Sequence, residues 1–270
     1  MQGNSSFRIA ALQMVSRKRI DDNLIEAERL IADAARQGAQ LVALPEYFPL
    51  IHEDETAKLH IREDDAAGPV QDFLCQAARQ HGVWLIGGTI PMRARNPEKV
   101  RNTCLVYAPD GKRIARYDKI HLFGYSVRDE RYDEAKTIEA GDQVVTFAAP
   151  PGRVGVAVCY DLRFPELFRA MGDVVLIVVP SAFTVSTGLA HWELLLRTRA
   201  VENQCYVLAP AQGGTHESGR RTYGDSLIVD PWGTIVNRLG KGPGVVLADL
   251  EPRVLEDTRA KLPALSHRTL

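Results

Sequence analysis

Cys159 lies where an apolar run, residues 153–158, gives way to charged and turn-forming residues. A thiol inside a strand is usually inert packing, whereas a thiol at the exit of a strand, beside backbone N–H groups and polar side chains, can act as a nucleophile. The other three cysteines, Cys75, Cys104 and Cys205, lie in or beside helix-like or strand-like apolar stretches and are interpreted as small buried hydrophobes. Cys159 is therefore the candidate nucleophile, with burial in the core as the alternative.

Three further ionisable residues have comparable positions. Glu46 and Lys119 each follow a strand-like run, and Glu134 lies on the segment between Lys119 and Cys159. In layered α/β proteins ligands bind beyond the carboxyl ends of the strands, so residues far apart in sequence can converge there. Taken singly, each of these residues is more typical of a solvent-exposed position at the rim of the fold. Together they supply a thiol nucleophile, a carboxylate base and a fixed cation for a developing oxyanion, as hydrolysis of an unreactive carbon–nitrogen bond requires.

The segments that must position these residues alternate between strand-like and helix-like patterns along the chain. Strand-like runs occupy residues 7–13, 41–44, 83–86, 173–179 and 206–209. Helical spacing predicts three helices, over 21–35, from Pro69 to Gly82, and over 192–201. The first is expected to be capped by Asp21 or Asp22 and to end at Gly38. The third is expected to have Leu194, Leu195 and Thr198 facing inward. Hairpins are expected over 103–117, 144–158 and 226–236. Without a linker-like stretch, this pattern predicts one domain over residues 1–270 with a layered α/β fold and mixed sheets.

Composition narrows the classes of function. The chain has 270 residues, 45% of them hydrophobic, and a formal net charge of −1, which is typical of a globular protein and gives no basis for nucleic-acid binding. No stretch reaches the roughly 20 apolar residues that cross a bilayer, and the N-terminus lacks an export signal. Four cysteines without paired spacing indicate neither a disulfide framework nor a metal site. We therefore expect a cytoplasmic protein with no membrane contact and no metal.

Three sequence motifs resemble a known family. They are Leu-Pro-Glu at 44–46, Tyr-Asp-Lys-Ile-His-Leu-Phe at 117–123 and Gly-Val-Ala-Val-Cys-Tyr-Asp-Leu-Arg-Phe-Pro-Glu at 155–166. In this order they resemble the three signatures of the nitrilase superfamily of carbon–nitrogen hydrolases, over nearly the whole chain. The resemblance implies a four-layer α-β-β-α sandwich and no cofactor.

The same resemblance implies roles for the candidate residues. Glu46 is expected to act as general base, Cys159 as nucleophile and Glu134 as an additional active-site carboxylate. The oxyanion would be held by Lys119 and the backbone N–H of Tyr160. The implied reaction passes through a thioester and releases ammonia from a small-molecule amide.

The segments after the nucleophile are similar to the amidase branch that includes deaminated-glutathione amidase, the nearer match, and ω-amidase. Substrates of that branch carry a carboxylate, and Arg163 is the candidate to bind it through a bidentate guanidinium; an ion pair at a subunit interface is the alternative. Phe183 and Thr184 are candidate pocket walls, although Phe183 could equally belong to the core. The chain departs from the family at Asp225, where a histidine is usual, and this leaves the substrate open.

Other functions stay open at this stage. The same machinery could serve a nitrile hydrolase or an N-carbamoyl hydrolase, and a non-catalytic scaffold is a candidate from another class. A Cys/His peptidase using His191 is disfavoured, because His191 opens a predicted amphipathic helix and no peptidase signature accompanies it. The resemblance also implies a homo-oligomer, at least a dimer, with the tail of about residues 255–270 at the interface.

Overall fold

A computed structural model of the chain describes residues 6–127 and 130–269. Its strands are β1 Phe7–Gln13, β2 Leu41–Ala43, β3 Trp84–Ile86, β4 Ile90–Arg93, β5 Val100–Tyr107, β6 Arg113–Asp118, β7 Gly124–Val127, β8 Glu130–Asp133, β9 Val145–Ala149, β10 Gly152–Val156, β11 Leu176–Val178, β12 Tyr206–Ala209, β13 Ser226–Val229, β14 Ile235–Leu239 and β15 Gly244–Leu250. Its helices are α1 Ile20–Arg36, α2 Ala57–His60, α3 Pro69–His81, α4 Pro165–Ala170, α5 Val185–Asn203 and α6 Pro252–Lys261. The expectation about an export signal rests on the first residues of the chain, and residues 1–5 lie outside the described part, as does Leu270 at the end of the expected interface tail.

Two large sheets form the centre of the fold. In the first, the strand order is β15-β1-β2-β3-β5-β4, and β6 also pairs with β5. Strands β1, β2 and β3 are parallel, while β15 runs antiparallel to β1. The parallel strands are linked through α1 and α3, as alternating strands and helices require. Their carboxyl ends therefore lie at one edge of the sheet.

The second sheet has the order β14-β13-β12-β11-β10-β9. Its centre, β10-β11-β12, is parallel and buried, and the hairpins β9-β10 and β13-β14 extend it on the two sides. The three hairpins predicted from the sequence are confirmed by the antiparallel pairs β5-β6, β9-β10 and β13-β14.

Alternation along the strands builds a layered core. Ile9 and Ala11 of β1 belong to a cluster shared with the second sheet and α5, whereas Ala10 and Leu12 pack with α1 and α3. Because successive residues of a strand point to opposite faces, β1 has one face toward the other sheet and one face toward the helices. The layers are therefore helices, sheet, sheet, helices, and the predicted α-β-β-α sandwich is confirmed. No helix of the described part is long and apolar enough to cross a membrane.

Two details of the predicted helices were wrong. α1 begins after Arg19, which makes no side-chain cap, and Asp21 and Asp22 lie inside its first turn, where negative charge favours the positive end of the helix dipole.

The helix predicted over 192–201 is the second half of α5, which begins after Thr184, whose hydroxyl accepts the Thr187 N–H. Its core side is formed by Trp192, Leu196 and Ala200. Leu194 and Thr198, which were expected to face inward, are exposed. The reason is that α5 carries apolar residues around most of its circumference, so sequence spacing did not identify the buried side.

Candidate active site

Three of the predicted residues form a buried charge network. The Lys119 ammonium lies 2.8 Å from Oε1 of Glu46 and 2.9 Å from Oε2 of Glu134. The side chains of Lys119 and Glu46 are closed to solvent, so desolvation by the surrounding protein strengthens both contacts. Glu46 follows β2, Lys119 follows β6, and Glu134 opens a 3₁₀ turn after β8. The structure thus brings these three residues together from separate segments around the first sheet.

Neutral hydrogen-bonding groups hold the two carboxylates. Asn102 donates its amide N–H to Oε1 of Glu46 at 3.0 Å. Glu134 accepts the Tyr47 hydroxyl at 2.6 Å and the Phe123 backbone N–H at 2.8 Å. Each carboxylate therefore has a fixed orientation relative to Lys119, as a preorganised site requires.

Cys159 comes from the second sheet, three residues after β10 ends at Val156. Its φ is +49°, in the left-handed region that ordinary residues rarely adopt. Its N–H donates to the Pro180 carbonyl at 3.0 Å, which fixes the turn to the neighbouring strand exit. A strained backbone held in this way is typical of functional sites.

Asp161 stabilises the turn that carries Cys159. This fully buried carboxylate accepts the Val158 N–H at 2.8 Å, the Tyr117 hydroxyl at 2.6 Å and the His121 backbone N–H at 3.0 Å. The Nδ1 atom of His121 lies 2.7 Å from the same carboxylate. One side chain thus ties the Cys159 turn to the segment that carries Lys119.

The thiol is buried beside the carboxylate network. Burial and the nearby Glu46 raise the pKa of the Cys159 thiol well above its usual range, and the opposing effect of Lys119 is smaller. Burial also raises the pKa of Glu46, although attraction to Lys119 opposes this effect. The thiol is therefore neutral at physiological pH, and Glu46 is the adjacent group that can accept its proton.

The other two charges are stabilised. Burial by itself would lower the pKa of Lys119, but attraction to Glu134 and Glu46 outweighs it and the pKa is raised well above its usual value. Burial by itself would raise the pKa of Glu134, but Lys119 and the hydrogen bonds from Phe123 and Tyr47 outweigh it, so the pKa is lowered. Lys119 and Glu134 therefore remain an ion pair over a wide pH range.

A pocket with an empty volume of ≈ 300 Å³ opens onto these groups. Cys159, Arg163, Phe183 and Thr184 all line it, so each residue predicted to contact substrate faces the same space. The Phe183 ring packs edge-on against Trp192 at 4.9 Å between centroids, and it is therefore both a core residue and a pocket wall.

Arg163 has no carboxylate partner within ion-pair distance among the described side chains of residues 6–126 and 131–269. Its two Nη atoms lie 3.3 Å from Nδ1 of His191, and its guanidinium carbon is 5.8 Å and 5.9 Å from the ring centroids of Tyr160 and Phe183. The guanidinium is thus held by aromatic rings. Tyr160 is the first residue after Cys159 in the 3₁₀ turn Cys159–Arg163.

Asp225 and His191 lie apart from the nucleophile. Both oxygens of Asp225 pair with the Arg238 guanidinium, and the Asp225 carbonyl accepts the Trp192 indole N–H at 2.7 Å. Neither Asp225 nor His191 lines the pocket. His191 is exposed on α5 beside Arg163, well inside the helix that it was expected to open.

Sequence reasoning missed several residues of the site. Asn102 is a polar residue within the apolar strand β5, a signal that could have been used, whereas the contacts of Tyr47 and Asp161 have no local signature. Arg220 also lines the pocket and comes from a loop rich in glycine and charged residues, where nothing in the sequence separates it from Arg221. In the described part of the chain, no group of three or more His, Cys, Asp and Glu side chains could hold a metal ion.

Comparison with known proteins extends these observations over the whole chain. A profile of the carbon–nitrogen hydrolase family matches residues 8–260. The chain is 43% identical over 267 residues to the deaminated glutathione amidase of Synechocystis sp., covering 96% of this chain and 97% of that protein. It is 36% identical over 267 residues to the Mus musculus omega-amidase NIT2, covering 98% and 95% of the two chains. The crystal structure of Saccharomyces cerevisiae Nit3, a member of branch 10 of the nitrilase superfamily, superposes with a TM-score of 0.87 at 32% identity, covering 98% of this chain and 97% of that one.

Proposed function

The chain belongs to the carbon–nitrogen hydrolase family, as its motifs predicted, and on this premise we propose that it is an amidase for a small carboxylated amide. The observation that carries the proposal is that Glu46 contacts Lys119 in a buried network and lines the same pocket as Cys159. These groups supply a proton acceptor, a fixed cation and a nucleophile within one pocket. A scaffold would have no physical need for two carboxylates and a lysine buried beside a thiol.

The proposed reaction begins from a neutral thiol. Glu46 takes the thiol proton as Sγ of Cys159 bonds to the amide carbon, and the carbonyl electron pair moves to oxygen. The Lys119 ammonium and the backbone N–H of Tyr160 hold this oxyanion. When the tetrahedral species collapses, the C–N bond breaks, the nitrogen takes the proton from Glu46, and a thioester remains on Cys159. Water then attacks the thioester, gives a proton to Glu46, and releases the acid while the thiol is restored. No cofactor takes part in this scheme.

Deaminated glutathione is the best single candidate substrate, because a relative that is 43% identical over 96% of this chain carries the name deaminated glutathione amidase. The amide bonds of this compound are secondary, so the leaving group is an amine, whereas a primary amide such as α-ketoglutaramate releases ammonia. The expectation of ammonia release therefore applies only to primary amides. The guanidinium of Arg163 lines the pocket and suits a substrate carboxylate in either case.

Mass-spectrometric identification of both products tests the proposal. The purified protein should split deaminated glutathione or α-ketoglutaramate into an acid and an amine or ammonia, with a transient acyl adduct on Cys159. Hydrolysis of nitriles alone, or release of carbon dioxide from N-carbamoyl amines alone, would favour the alternative hydrolases. Absence of product from all of these compounds, with the protein folded, would refute the assignment.

Two variants separate the roles of the groups. Glu46→Gln keeps an oxygen for Lys119 and Asn102 but cannot accept a proton, so kcat should fall by roughly 10²- to 10⁴-fold. Cys159→Ser should lose the acyl adduct. Cys75→Ser is the matched control, because the Cys75 thiol lies outside the pocket and donates to the Gly111 carbonyl at 3.2 Å; it should retain activity.

We also propose that the protein acts as a homodimer in the cytoplasm, built as one domain over residues 1–270. α5, which packs beside the Cys159 turn, exposes Leu189 and Leu194, and an exposed apolar surface of this kind supports an interface between copies of the chain. All four cysteines are free, consistent with a reducing compartment.

A further inference from the structure

Arg220 has a donor without a partner. Its Nε atom is buried and makes no hydrogen bond, and its Nη2 atom reaches only the Ala182 carbonyl, at 3.4 Å. Its guanidinium carbon lies 5.8 Å from the ring centroid of Tyr47 and 5.6 Å from that of Tyr132. The two rings hold the guanidinium in place by cation–π contact. Because a buried unpaired donor costs free energy, this arrangement indicates a group outside the chain that Arg220 binds.

The side chain borders two neighbouring spaces. Arg220, Phe123 and Glu134 line both the pocket at Cys159 and an adjoining chamber with an empty volume of ≈ 610 Å³. Arg220 thus lies where the two spaces adjoin. A molecule whose reacting bond lies at Cys159 can place its remaining part in the chamber past this guanidinium.

Lys58 provides a second cation on the chamber wall. Its ammonium donates to the Thr137 hydroxyl at 3.0 Å, and it forms no ion pair within the described residues. Burial lowers the pKa of Lys58; Glu134 and Glu55 oppose this effect, and Arg220 adds to it. A carboxylate placed between Lys58 and Arg220 would therefore be attracted by two cations for which the described part of the chain provides no ion pair.

Acidic groups also line the chamber. Asp54, Glu55 and Asp133 are on its wall together with Glu134. The Asp54 carboxylate accepts the backbone N–H and hydroxyl of Thr56 at 2.8 Å and 2.7 Å. Glu134 is bound to Lys119. Asp54 and Glu134 are therefore engaged with groups of the chain itself, whereas the buried Nε of Arg220 makes no hydrogen bond and its side chain lines the chamber.

Resting on the proposed amidase function, we propose that Arg220, assisted by Lys58, binds a carboxylate carried by the leaving amine of the substrate. Arg163 lies in the smaller pocket with Cys159, where the acyl group stays attached as the thioester, and it is assigned to the carboxylate of the acyl part. The larger chamber suits the part that departs. The enzyme therefore selects amides with an anionic group on each side of the scissile bond, and Arg220 is the residue that recognises the anionic group of the leaving amine.

The test compares two substrates that differ only at the far end of the leaving amine. They are deaminated glutathione and its analogue in which the glycine carboxylate is replaced by a neutral N-methylamide. The wild-type enzyme should prefer the carboxylate by roughly 10- to 100-fold in kcat/KM, the effect of one charged hydrogen bond. In Arg220→Met this ratio should fall to near one, and Arg220→Lys should give an intermediate value.

Arg221→Met is the matched control, since it removes the same charge one residue away on an exposed side chain; its ratio should equal that of the wild type. Binding of intact deaminated glutathione to Cys159→Ser, with and without Arg220→Met, gives a readout that needs no turnover, and Kd should rise by a similar factor. An unchanged ratio and Kd in Arg220→Met would overturn this inference and leave the amidase function intact. A wild-type enzyme that hydrolyses neither compound nor any other amide would overturn both.

Discussion

The ammonium of Lys119 lies 2.8 Å from the carboxylate of Glu46, and both side chains are closed to solvent. The same ammonium also contacts Glu134, at 2.9 Å, so one buried cation serves a buried carboxylate and a partly buried one. Burial and the neighbouring Glu46 keep the pKa of the adjacent Cys159 thiol well above its usual range, so the thiol is held neutral. In this arrangement the nucleophile loses its proton only when it attacks.

Lys119→Met is expected to destabilise the protein as well as to inactivate it. The substitution leaves two buried carboxylates without their cation, and breaking such a buried pair typically costs about 3–5 kcal/mol. Loss of the oxyanion donor should lower kcat by about 10²- to 10³-fold. Thermal unfolding and steady-state kinetics measure the two effects. Lys112→Met, at an exposed lysine, should change neither.

Combining Lys119→Met with Glu134→Gln should restore part of the lost stability, because one of the two repelling charges is removed. Activity should stay lost, since the cation at the oxyanion position is still missing. A double variant no more stable than Lys119→Met alone would contradict the electrostatic explanation.

The pH dependence should reflect the raised pKa values of Glu46 and Cys159. The base is active only when deprotonated, so kcat/KM should fall as the pH drops through the pKa of Glu46. Because burial raises that pKa, the acid limb should lie above the value of an ordinary glutamate, about 4.3. An acid limb at or below that value would show that Glu46 is not the titrating base.

Alkylation of Cys159 by iodoacetamide reports on the thiol directly. Its pKa lies well above the usual range, so the rate in the free enzyme should still be rising at about pH 8.5, where an ordinary cysteine is half ionised. Intact-mass spectrometry of Cys75→Ser protein, which removes the one partly exposed competitor, follows the reaction. A rate that levels off near neutral pH would indicate a preformed thiolate instead.

Asp161→Asn is expected to disturb the turn that presents Cys159. An asparagine has one acceptor oxygen, whereas Asp161 accepts hydrogen bonds from Val158, Tyr117 and His121 with two. Leaving buried donors unsatisfied costs about 1–3 kcal/mol each, so the midpoint of thermal unfolding should fall and kcat should fall with it. Asp142→Asn, at an exposed position, provides the comparison. Equal stabilities of the two variants would remove Asp161 from this role.

Leu194→Asp tests the proposed dimer. The side chain is 63% exposed on α5, and a charge there would have to be desolvated in an interface between copies. Sedimentation equilibrium should show the variant shifted to monomer. Ile25→Asp, at a residue of α1 that is 71% exposed on the opposite outer layer, should leave the assembly unchanged. Dimers of equal strength in both variants would place the interface elsewhere.

The sequence was sufficient to identify the family, to predict the layered α/β fold and to select the four ionisable residues that the structure brings together. This is so because strand periodicity and short motifs at strand exits are local signals. Glu46, Lys119 and Cys159 each belong to a distinctive run, and their order along the chain was enough to recognise the family.

The supporting residues could not be found in this way. Asp161 is joined to the segment that carries Lys119 through Tyr117 and His121, which lie 44 and 40 positions from Asp161 in the chain. Arg220 reveals its unpaired Nε only once its neighbours in space are known. Similarly, the buried side of α5 depends on which sheet it packs against, and local spacing of apolar residues carries no such information.

The pairing of β1 with β15 has a consequence for biosynthesis. Seven residues of β1, Phe7–Gln13, are matched with Gly244–Leu250, so residues 7–13 are made well before their partner strand. Until that strand is made, the edge of β1 opposite β2 is open, and such edges invite pairing with other chains. The nascent protein is therefore exposed to aggregation until residue 250 has been made, and chaperone dependence should be concentrated in that interval.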